Sequence, residues 1–362
     1  MVTDSPAHIY KKVFNGKRVL VTGDTGFKGS WLSLWLHELG ADVVGYALPP
    51  ERDEDHFNLI GLDETIHHVQ GDIRDFSSLN KVFQDFQPQF LFHLAAQSLV
   101  KHSYQEPKLT IDTNVGGSLN ILEAVRLLPS LRSVIYVTSD KCYKNKEWMW
   151  GYRENDELGG HDLYSASKAS AEIIFTAYMN SFFNNREGFG AASVRAGNVI
   201  GGGDWSSDRI VPDSIKALRS GHPIVLRNPN ATRPWQHVLE PLSGYLLLAA
   251  KLFHSPVEFS GAMNFGPRNE SFHTVQNLVE RIVAFWGKGE VQVNIEANAP
   301  HESTLLHLNC DKAEQVLGWH PRWDFSRAVD KTTHWYKEVV SGKQALQISK
   351  QQIKEYMGEL ND

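Results

Sequence analysis

Residues 18–39 run as a short β-rich segment, a glycine turn and a helical segment in unbroken succession. Arg18 to Thr22 supplies the β-rich part, and Leu32, Trp35, Leu36 and Leu39 follow at i, i+3, i+4 and i+7, the spacing of one helix face. The turn between them, Gly23-Asp24-Thr25-Gly26-Phe27-Lys28-Gly29, spaces its glycines G-x-x-G-x-x-G. Glycines there permit a tight turn and close backbone approach. The helix N-terminus behind them offers free N–H groups and partial positive charge to a pyrophosphate. The unit therefore predicts a dinucleotide site, with Gly23, Thr25, Gly26, Phe27, Lys28 and Gly29 around the phosphates.

The same rhythm continues downstream. Asp42 to Tyr46, Phe90 to Leu94, Val134 to Thr138 and Ala191 to Arg195 read as strands with helix-like segments between them. This predicts an α/β fold, a Rossmann-type doubly wound parallel sheet. After Gly197 the alternation becomes irregular, Gly201, Gly202 and Gly203 run together, and prolines and arginines become frequent. A chain of 362 residues is long enough for a second lobe. The expected division is 1–196 for the dinucleotide-binding domain, with a return near 237–265, and 197–236 with 266–362 for a smaller mixed α/β substrate-binding lobe. A last helix-like stretch, Lys343 to Met357, is expected to dock on the surface.

Composition removes several functional classes. Cys142 and Cys310 are too few for a disulfide framework and fit buried thiols in a reducing compartment. The sixteen histidines lack the His-x-x-x-His spacing of a metal helix, so no metal is expected. A net charge of -6 argues against a nucleic-acid partner. The opening residues lack the apolar run of a signal peptide, and the apolar stretch Leu246 to Ala250 is far short of the ~20 residues that span a bilayer. A cytoplasmic protein without a membrane partner is expected.

Two further segments extend the cofactor reading. In Gly71-Asp72-Ile73-Arg74-Asp75, Asp72 could accept the adenine amino group while Ile73 packs on the ring; a plain loop capping a helix is the alternative. Leu94-Ala95-Ala96-Gln97 ends a strand in small residues, which lets a cofactor lie against the backbone or simply permits close packing. The acid that would bind the ribose hydroxyls of NAD, some 20 residues after the glycines, is missing. The chain reads Tyr46-Ala47-Leu48-Pro49-Pro50 there, and Arg52 could face a 2′-phosphate, so these residues favour NAD over NADP only moderately.

Tyr164-Ser165-Ala166-Ser167-Lys168 puts Tyr164 and Lys168 four apart on one face of a helix that reads through Phe183. A nearby ammonium favours the phenolate and would bring a phenol of ordinary pKa ~10 into working range as a base. The preceding strand ends in Ser139-Asp140-Lys141, a hydroxyl, a carboxylate and an amine at a carboxyl strand end, where such sheets bind ligands. Ser139 can bond the same substrate oxygen as Tyr164. Asp140 and Lys141 add acid–base groups that a simple dehydrogenase does not need.

Together, the glycine turn, Leu94 to Gln97, Ser139-Asp140, Tyr164-x-x-x-Lys168, Asn198 and Arg233 resemble the extended short-chain dehydrogenases that act on nucleotide sugars. The likeness runs from about Arg18 to Tyr336. A hydroxyl residue followed by Asp at this strand end is similar to the 4,6-dehydratases, whereas sugar epimerases carry Ser-Ala there. Most dehydratases have Glu where this chain has Lys141, a departure that resembles the branch acting on CDP-glucose, as do Thr22 to Phe27, Gly45 to Leu48 and Gly201 to Trp205. The resemblance implies NAD, a nucleotide-sugar substrate and a redox-neutral dehydration. In it Tyr164 takes the C4 hydroxyl proton, Asp140 protonates the departing C6 hydroxyl, and Lys141 or a water held by it takes the C5 proton.

On the substrate side, Asn198 matches an amide that contacts the diphosphate region, and Arg233 an arginine that pairs with a nucleotide phosphate. Arg209 is a further substrate contact or a solvated helix charge, and His301-Glu302 resembles a segment that touches ribose or base. The likeness also implies a homodimer through a four-helix bundle formed by about Thr110 to Leu127 and the Tyr164 helix. Ile173, Phe175 and Tyr178 are expected to face outward there. Two rival functions are an epimerase or another sugar-nucleotide dehydratase, and a non-catalytic NAD(P)-sensing regulator.

Overall fold

The computed structural model describes residues 5–268, 273–294 and 305–361. Its centre is a seven-stranded parallel sheet. Six strands are β1 (Arg18–Thr22), β2 (Asp42–Ala47), β3 (His67–Gln70), β4 (Phe90–His93), β5 (Ser133–Val137) and β6 (Gly190–Arg195), and the seventh is Gly261–Asn264. Across the sheet the order is Gly261–Asn264, β6, β5, β4, β1, β2, β3. The chain winds outward from β1 through β2 to β3, then returns to lay β4, β5 and β6 on the other side. The reversal between β1 and β4 opens a crevice at the carboxyl ends of the strands, the place where such sheets hold ligands.

Both sheet faces are dry. Along β1, Val19 and Val21 enter one core while Leu20 enters the other, with Val44 of β2 and Leu91 of β4. The helix Phe27–Glu38 departs from the single apolar stripe read in the sequence: Trp31, Leu32, Leu34, Trp35 and Leu36 are all fully buried. On the added face Trp31 stacks on His56 at 4.6 Å and donates to the Gly202 carbonyl, while the last helix, Ala345–Glu359, brings its Tyr356 ring edge-on to Trp35 at 5.8 Å. The apolar stretch Leu246 to Ala250 lies inside the buried helix Leu239–His254, whose Ala249 carbonyl accepts from Ser133 Oγ of β5 at 2.9 Å. Three two-stranded sheets accompany the main one, pairing Val199–Ile200 with Gln236–His237, Thr232–Arg233 with His273–Thr274, and Ile224–Leu226 with Val291–Val293.

Among the described residues no helix is long and apolar enough to cross a membrane, and no cluster of His, Cys, Asp or Glu could hold a metal. Cys142 and Cys310 are both buried free thiols, and burial raises the pKa of each.

Candidate active site

The glycine turn joins β1 to the helix Phe27–Glu38 at the crevice. Gly23 has φ +80°, and a Cβ there would lie 2.7 Å from the Ala95 backbone nitrogen, so the turn abuts the Leu94–Ala96 strand end. A Cβ on Gly29 would lie 2.0 Å from the Gly23 carbonyl oxygen, which leaves only glycine able to seat the helix so close. Gly26 caps the helix without a side chain, and no side chain caps the first turn. Thr25 Oγ1 donates to the Leu48 carbonyl at 2.8 Å, fastening the turn to the end of β2. Asp24, fully buried, contacts His68 Nδ1 of β3 at 2.7 Å.

The second cofactor segment is more closed than expected. Asp72 is engaged by the Arg74 guanidinium at 2.6 Å, and this bond holds its carboxyl below the usual range. Ile73 is buried, and a Cβ on Gly117 would lie 2.6 Å from its Cδ1, so its side chain fills the core. Arg52 stands beside Glu51 at 3.5 Å and Asp55 at 3.9 Å.

At the end of β5, Ser139 Oγ donates to Asp140 Oδ1 at 2.9 Å and accepts from the Lys141 backbone N–H at 3.2 Å. The Asp140 carboxylate fits only because residue 197 is glycine: a Cβ there would lie 1.8 Å from Asp140 Oδ2. On the Asp140 side, Gly197, Gln236 and His307 share in lining a cavity of about 10 Å³. Gln236 Nε2 donates to the Gly197 carbonyl at 3.3 Å and the Phe265 carbonyl at 3.0 Å.

Tyr164 and Lys168 project from the helix Leu163–Tyr178 and are both buried. The pairing differs from the sequence expectation. Lys168 Nζ lies over the Tyr164 ring, 6.0 Å from its centroid, and burial pushes the phenol up to about 12, assisted by the Asp140 charge. Hydrogen bonding with Ser139 and the charge of Arg209 oppose that rise without cancelling it. Desolvation is thus the largest influence on the phenol. Lys168 itself is pushed down to about 8 by burial and then by the charge of Lys28. Lys28 is pushed to about 8 by burial and Arg209, with Asp140 opposing. The glycine turn's lysine therefore belongs to the same electrostatic cluster as the reacting groups.

Arg209 is partly exposed and ion-paired. It precedes the helix Ile210–Ser220 and turns back to Asp204 at 2.8 Å, within electrostatic range of Tyr164. Asn198 follows β6 with φ 51°, a left-handed conformation uncommon outside glycine, and its side chain is partly exposed. Arg233 pairs in register with His273 and donates to the Thr232 carbonyl at 2.9 Å; burial, and after it the Arg233 charge, lowers the pKa of His307. His301 and Glu302 lie outside the described residues. Lys141 is exposed. Phe175 does not face outward as expected: it is buried, stacked on Tyr136 with ring centroids 5.1 Å apart. Tyr178 is partly buried with its hydroxyl on Glu123, whereas Ile173 is exposed.

Two supporting groups escaped the sequence reading. Glu172 is fully buried and receives Arg195 Nε and a terminal guanidinium nitrogen, each at 2.9 Å, with Ser193 Oγ at 2.7 Å and the Thr138 hydroxyl. Its position four residues after Lys168 on the Tyr164 face was the available signal. Asn114 links the β4 end to the Tyr164 helix: its Nδ2 donates to the Gln97 carbonyl and Ser167 Oγ, each at 2.9 Å, and its Oδ1 accepts from Gln97 N–H at 2.8 Å. It lies in a π-helical turn, Asp112–Gly117, which no spacing rule reveals.

Comparison with known proteins agrees with this arrangement. A CDP-glucose 4,6-dehydratase from Salmonella typhimurium is 47% identical over 353 residues, covering 96% of this chain and 98% of the relative. An epimerase from Methanothermobacter thermautotrophicus shares the fold, with a TM-score of 0.79 at 22% identity, over 93% of this chain and 98% of the other. A dTDP-glucose 4,6-dehydratase from Bacillus anthracis, solved in complex with NAD, does so with a TM-score of 0.73 at 21% identity, over 89% and 97%. Residues 20–332 match the family described as GDP-mannose 4,6 dehydratase, and with that match over most of its length the chain belongs to this family of sugar-nucleotide 4,6-dehydratases.

Proposed function

We propose that this protein converts CDP-glucose to CDP-4-keto-6-deoxyglucose and water, with NAD as a resident cofactor. The observation that carries the reading is the buried Asp140 carboxylate, seated against Gly197 and bonded to Ser139 beside Tyr164. A dehydrogenase or epimerase has no use for an acid at that place, and elimination of hydroxide needs one. The 47% identity to the Salmonella dehydratase supports CDP-glucose among sugar nucleotides.

The cradle fits a dinucleotide: Gly23, Thr25, Gly26, Phe27, Lys28 and Gly29 hold the pyrophosphate at an uncapped helix start, while Asp72, Ile73 and Leu94 to Ala96 border the adenosine and nicotinamide ends. Two carboxylates beside Arg52 disfavour a 2′-phosphate and so favour NAD over NADP. Bound there, NAD would supply the hydride chemistry, as acceptor for the C4 hydride and its donor to C6. Tyr164 accepts the O4 proton, and Lys168 orients the ring and the cofactor ribose. Once C4 is a ketone the C5 proton is acidic, and Lys141, directly or through a water that it holds, removes it. Asp140 protonates the leaving C6 hydroxyl. Asn198, Arg209, Arg233 and His301 hold the substrate diphosphate and nucleoside from the smaller lobe, for which we keep the division 197–236 and 266–362.

The reading includes a cytoplasmic homodimer. Exposed Leu119, Leu127, Leu163, Ile173 and Phe182 would be covered by the same helices of a second copy. A monomer mass by light scattering at micromolar concentration would end that part. The function is tested with a panel of CDP-glucose, dTDP-glucose, GDP-mannose and the matching UDP-sugar. The alkaline absorbance of a 4-keto-6-deoxy product is expected with CDP-glucose. An epimerised sugar, or bound cofactor without any product, would replace the reading with one of its rivals.

A further inference from the structure

A dehydratase that returns its hydride has to keep its cofactor through a stage when the cofactor is reduced and the sugar is a ketone. If the two separate then, the enzyme is left without its hydride donor and the intermediate cannot be completed. The cofactor crevice therefore has to stay shut between the two hydride transfers.

Residues 201–209 lie across that crevice. At one end the segment is seated on the helix behind the glycine turn: a Cβ on Gly201 would lie 3.0 Å from Phe27 Cζ, and Trp31 Nε1 donates to the Gly202 carbonyl at 2.9 Å. This end is anchored in the core. A Cβ on Gly202 would lie 2.0 Å from the Trp335 ring, and Tyr336 Oη donates to the Asp204 carbonyl at 2.5 Å. At its other end the segment reaches the chain that follows β4, just past the Leu94–Ala96 strand end. Asp208 is ion-paired with Lys101 of the helix Val100–Gln105, and Arg209 Nη2 donates to Ser98 Oγ at 3.4 Å. The glycine turn and the Leu94–Ala96 strand end are the two walls of the cofactor cradle, so a segment fastened to both closes over it.

The two fastenings differ in kind. Gly201, Gly202 and Asp204 are buried, whereas the side chains of Lys101 and Asp208 are 54% and 41% exposed. An exposed ion pair is weak and is screened by salt. The outer end can therefore open while the inner end stays fixed. The backbone suits the outer end to this use. Asp208 has φ 62°, in the left-handed region that few residues other than glycine adopt and that aspartate tolerates better than most. In extended chain successive side chains point to opposite sides. The turn at Asp208 lets Asp208 and Arg209 reach the same neighbouring segment. Arg227 also stands 3.8 Å from the Asp208 carboxylate.

We propose that Lys101 and Asp208 are positioning residues, a latch that fastens residues 201–209 over the cofactor and slows its release between the two halves of the reaction. They act through the segment that they fasten. Closure also sets Arg209 in place, and the charge of Arg209 bears on Lys28 of the glycine turn and on Tyr164.

The latch rests on the reading of the crevice as a dinucleotide site, and the test separates the two. The full-length enzyme is loaded with NADH and mixed with excess NAD, and the decay of bound-NADH fluorescence gives the release rate. Lys101→Met and Asp208→Asn each remove the pair, and asparagine tolerates the left-handed backbone, so the second variant leaves the turn in place. At low salt each should release NADH roughly two- to fivefold faster than wild type, the range set by an exposed ion pair. The double variant should be no faster than either single one, because both break the same contact. At high salt, where the pair is screened, the ratio of variant to wild type should fall towards one; a general packing fault would persist there. Release at the wild-type rate in both single variants, effects that multiply in the double variant, or a ratio that ignores salt overturns the latch alone. A wild-type protein that binds no NADH overturns the dinucleotide reading and the latch with it.

Discussion

Glu172→Gln removes a charge without changing shape, and the structure fixes what is lost. Glu172 and Arg195 are both buried, joined by two bonds of 2.9 Å, and the carboxylate also serves Ser193 and Thr138. The variant leaves the Arg195 guanidinium in a dry site with an amide in place of its counter-ion. Breaking one side of a buried pair costs about 3–5 kcal/mol. That is a large part of the roughly 5–15 kcal/mol that holds a folded protein together. The assay is urea unfolding with an unchanged slope and a lower midpoint. The dependence on pH has a definite sign. Burial alone would raise the Glu172 carboxyl, but the Arg195 hydrogen bonds and charge, with Thr138 and Ser193, hold it below its ordinary 4.5. A depressed carboxyl contributes stability that is complete above its unfolded value and lost as pH falls through its folded value. The gap between wild type and Glu172→Gln should therefore be full at neutral pH and close in acid. A midpoint change worth less than about 1 kcal/mol at neutral pH would refute the assignment of this pair as a buried, uncompensated-on-removal charge.

Tyr164→Phe removes only the phenolic oxygen and should abolish C4 oxidation while leaving folding and nucleotide binding intact; near-normal turnover would show that another group takes the proton. Arg233→Ala should weaken binding of CDP by roughly 1.5–3 kcal/mol, the worth of a charge-assisted hydrogen bond, and unchanged affinity by calorimetry would remove Arg233 from the phosphate site. Lys28 and Lys168, both pushed to about 8, are partly neutral near that pH, and an arriving pyrophosphate favours their charged forms. NAD binding near pH 8 should therefore take up protons, read as a dependence of calorimetric heat on the ionisation enthalpy of the buffer; heats independent of buffer would refute it.

The parts of the site that were legible in the sequence are those whose geometry is local. The glycine turn, Tyr164 with Lys168, and Ser139-Asp140 at a strand end each depend on a few consecutive residues, and their spacing carries the geometry directly. Features that depend on distant chain were not legible. Trp31 is buried because distant chain covers it, His56 stacking on its ring and the Gly202 carbonyl taking its indole N–H, which the period of one segment cannot announce. Phe175 turns inward because Tyr136 of β5 offers a ring to stack on. The protonation of Tyr164 went the other way from expectation because it is set by how thoroughly the neighbours exclude water, a property of packing. Lys141 was placed correctly along the chain, but its exposure follows from the turn that carries Asp140 inward.

The acid of this site is held by a circuit that starts and ends on one helix. Glu172, on the face that carries Tyr164 and Lys168, binds Arg195 at the end of β6. Two residues later Gly197 meets the Asp140 carboxylate so closely that no side chain could stand there. Asp140 is bonded to Ser139, and the two act in opposite directions on the phenol of Tyr164, back on the starting helix. Thr138, the residue before Ser139, is tied to Glu172 as well. Asp140 therefore cannot move without disturbing Tyr164. In the proposed reaction a single turn of chain serves both halves: Tyr164 and Asp140 are positioned by the same buried carboxylate, Glu172, and by the close approach that glycine permits at residue 197.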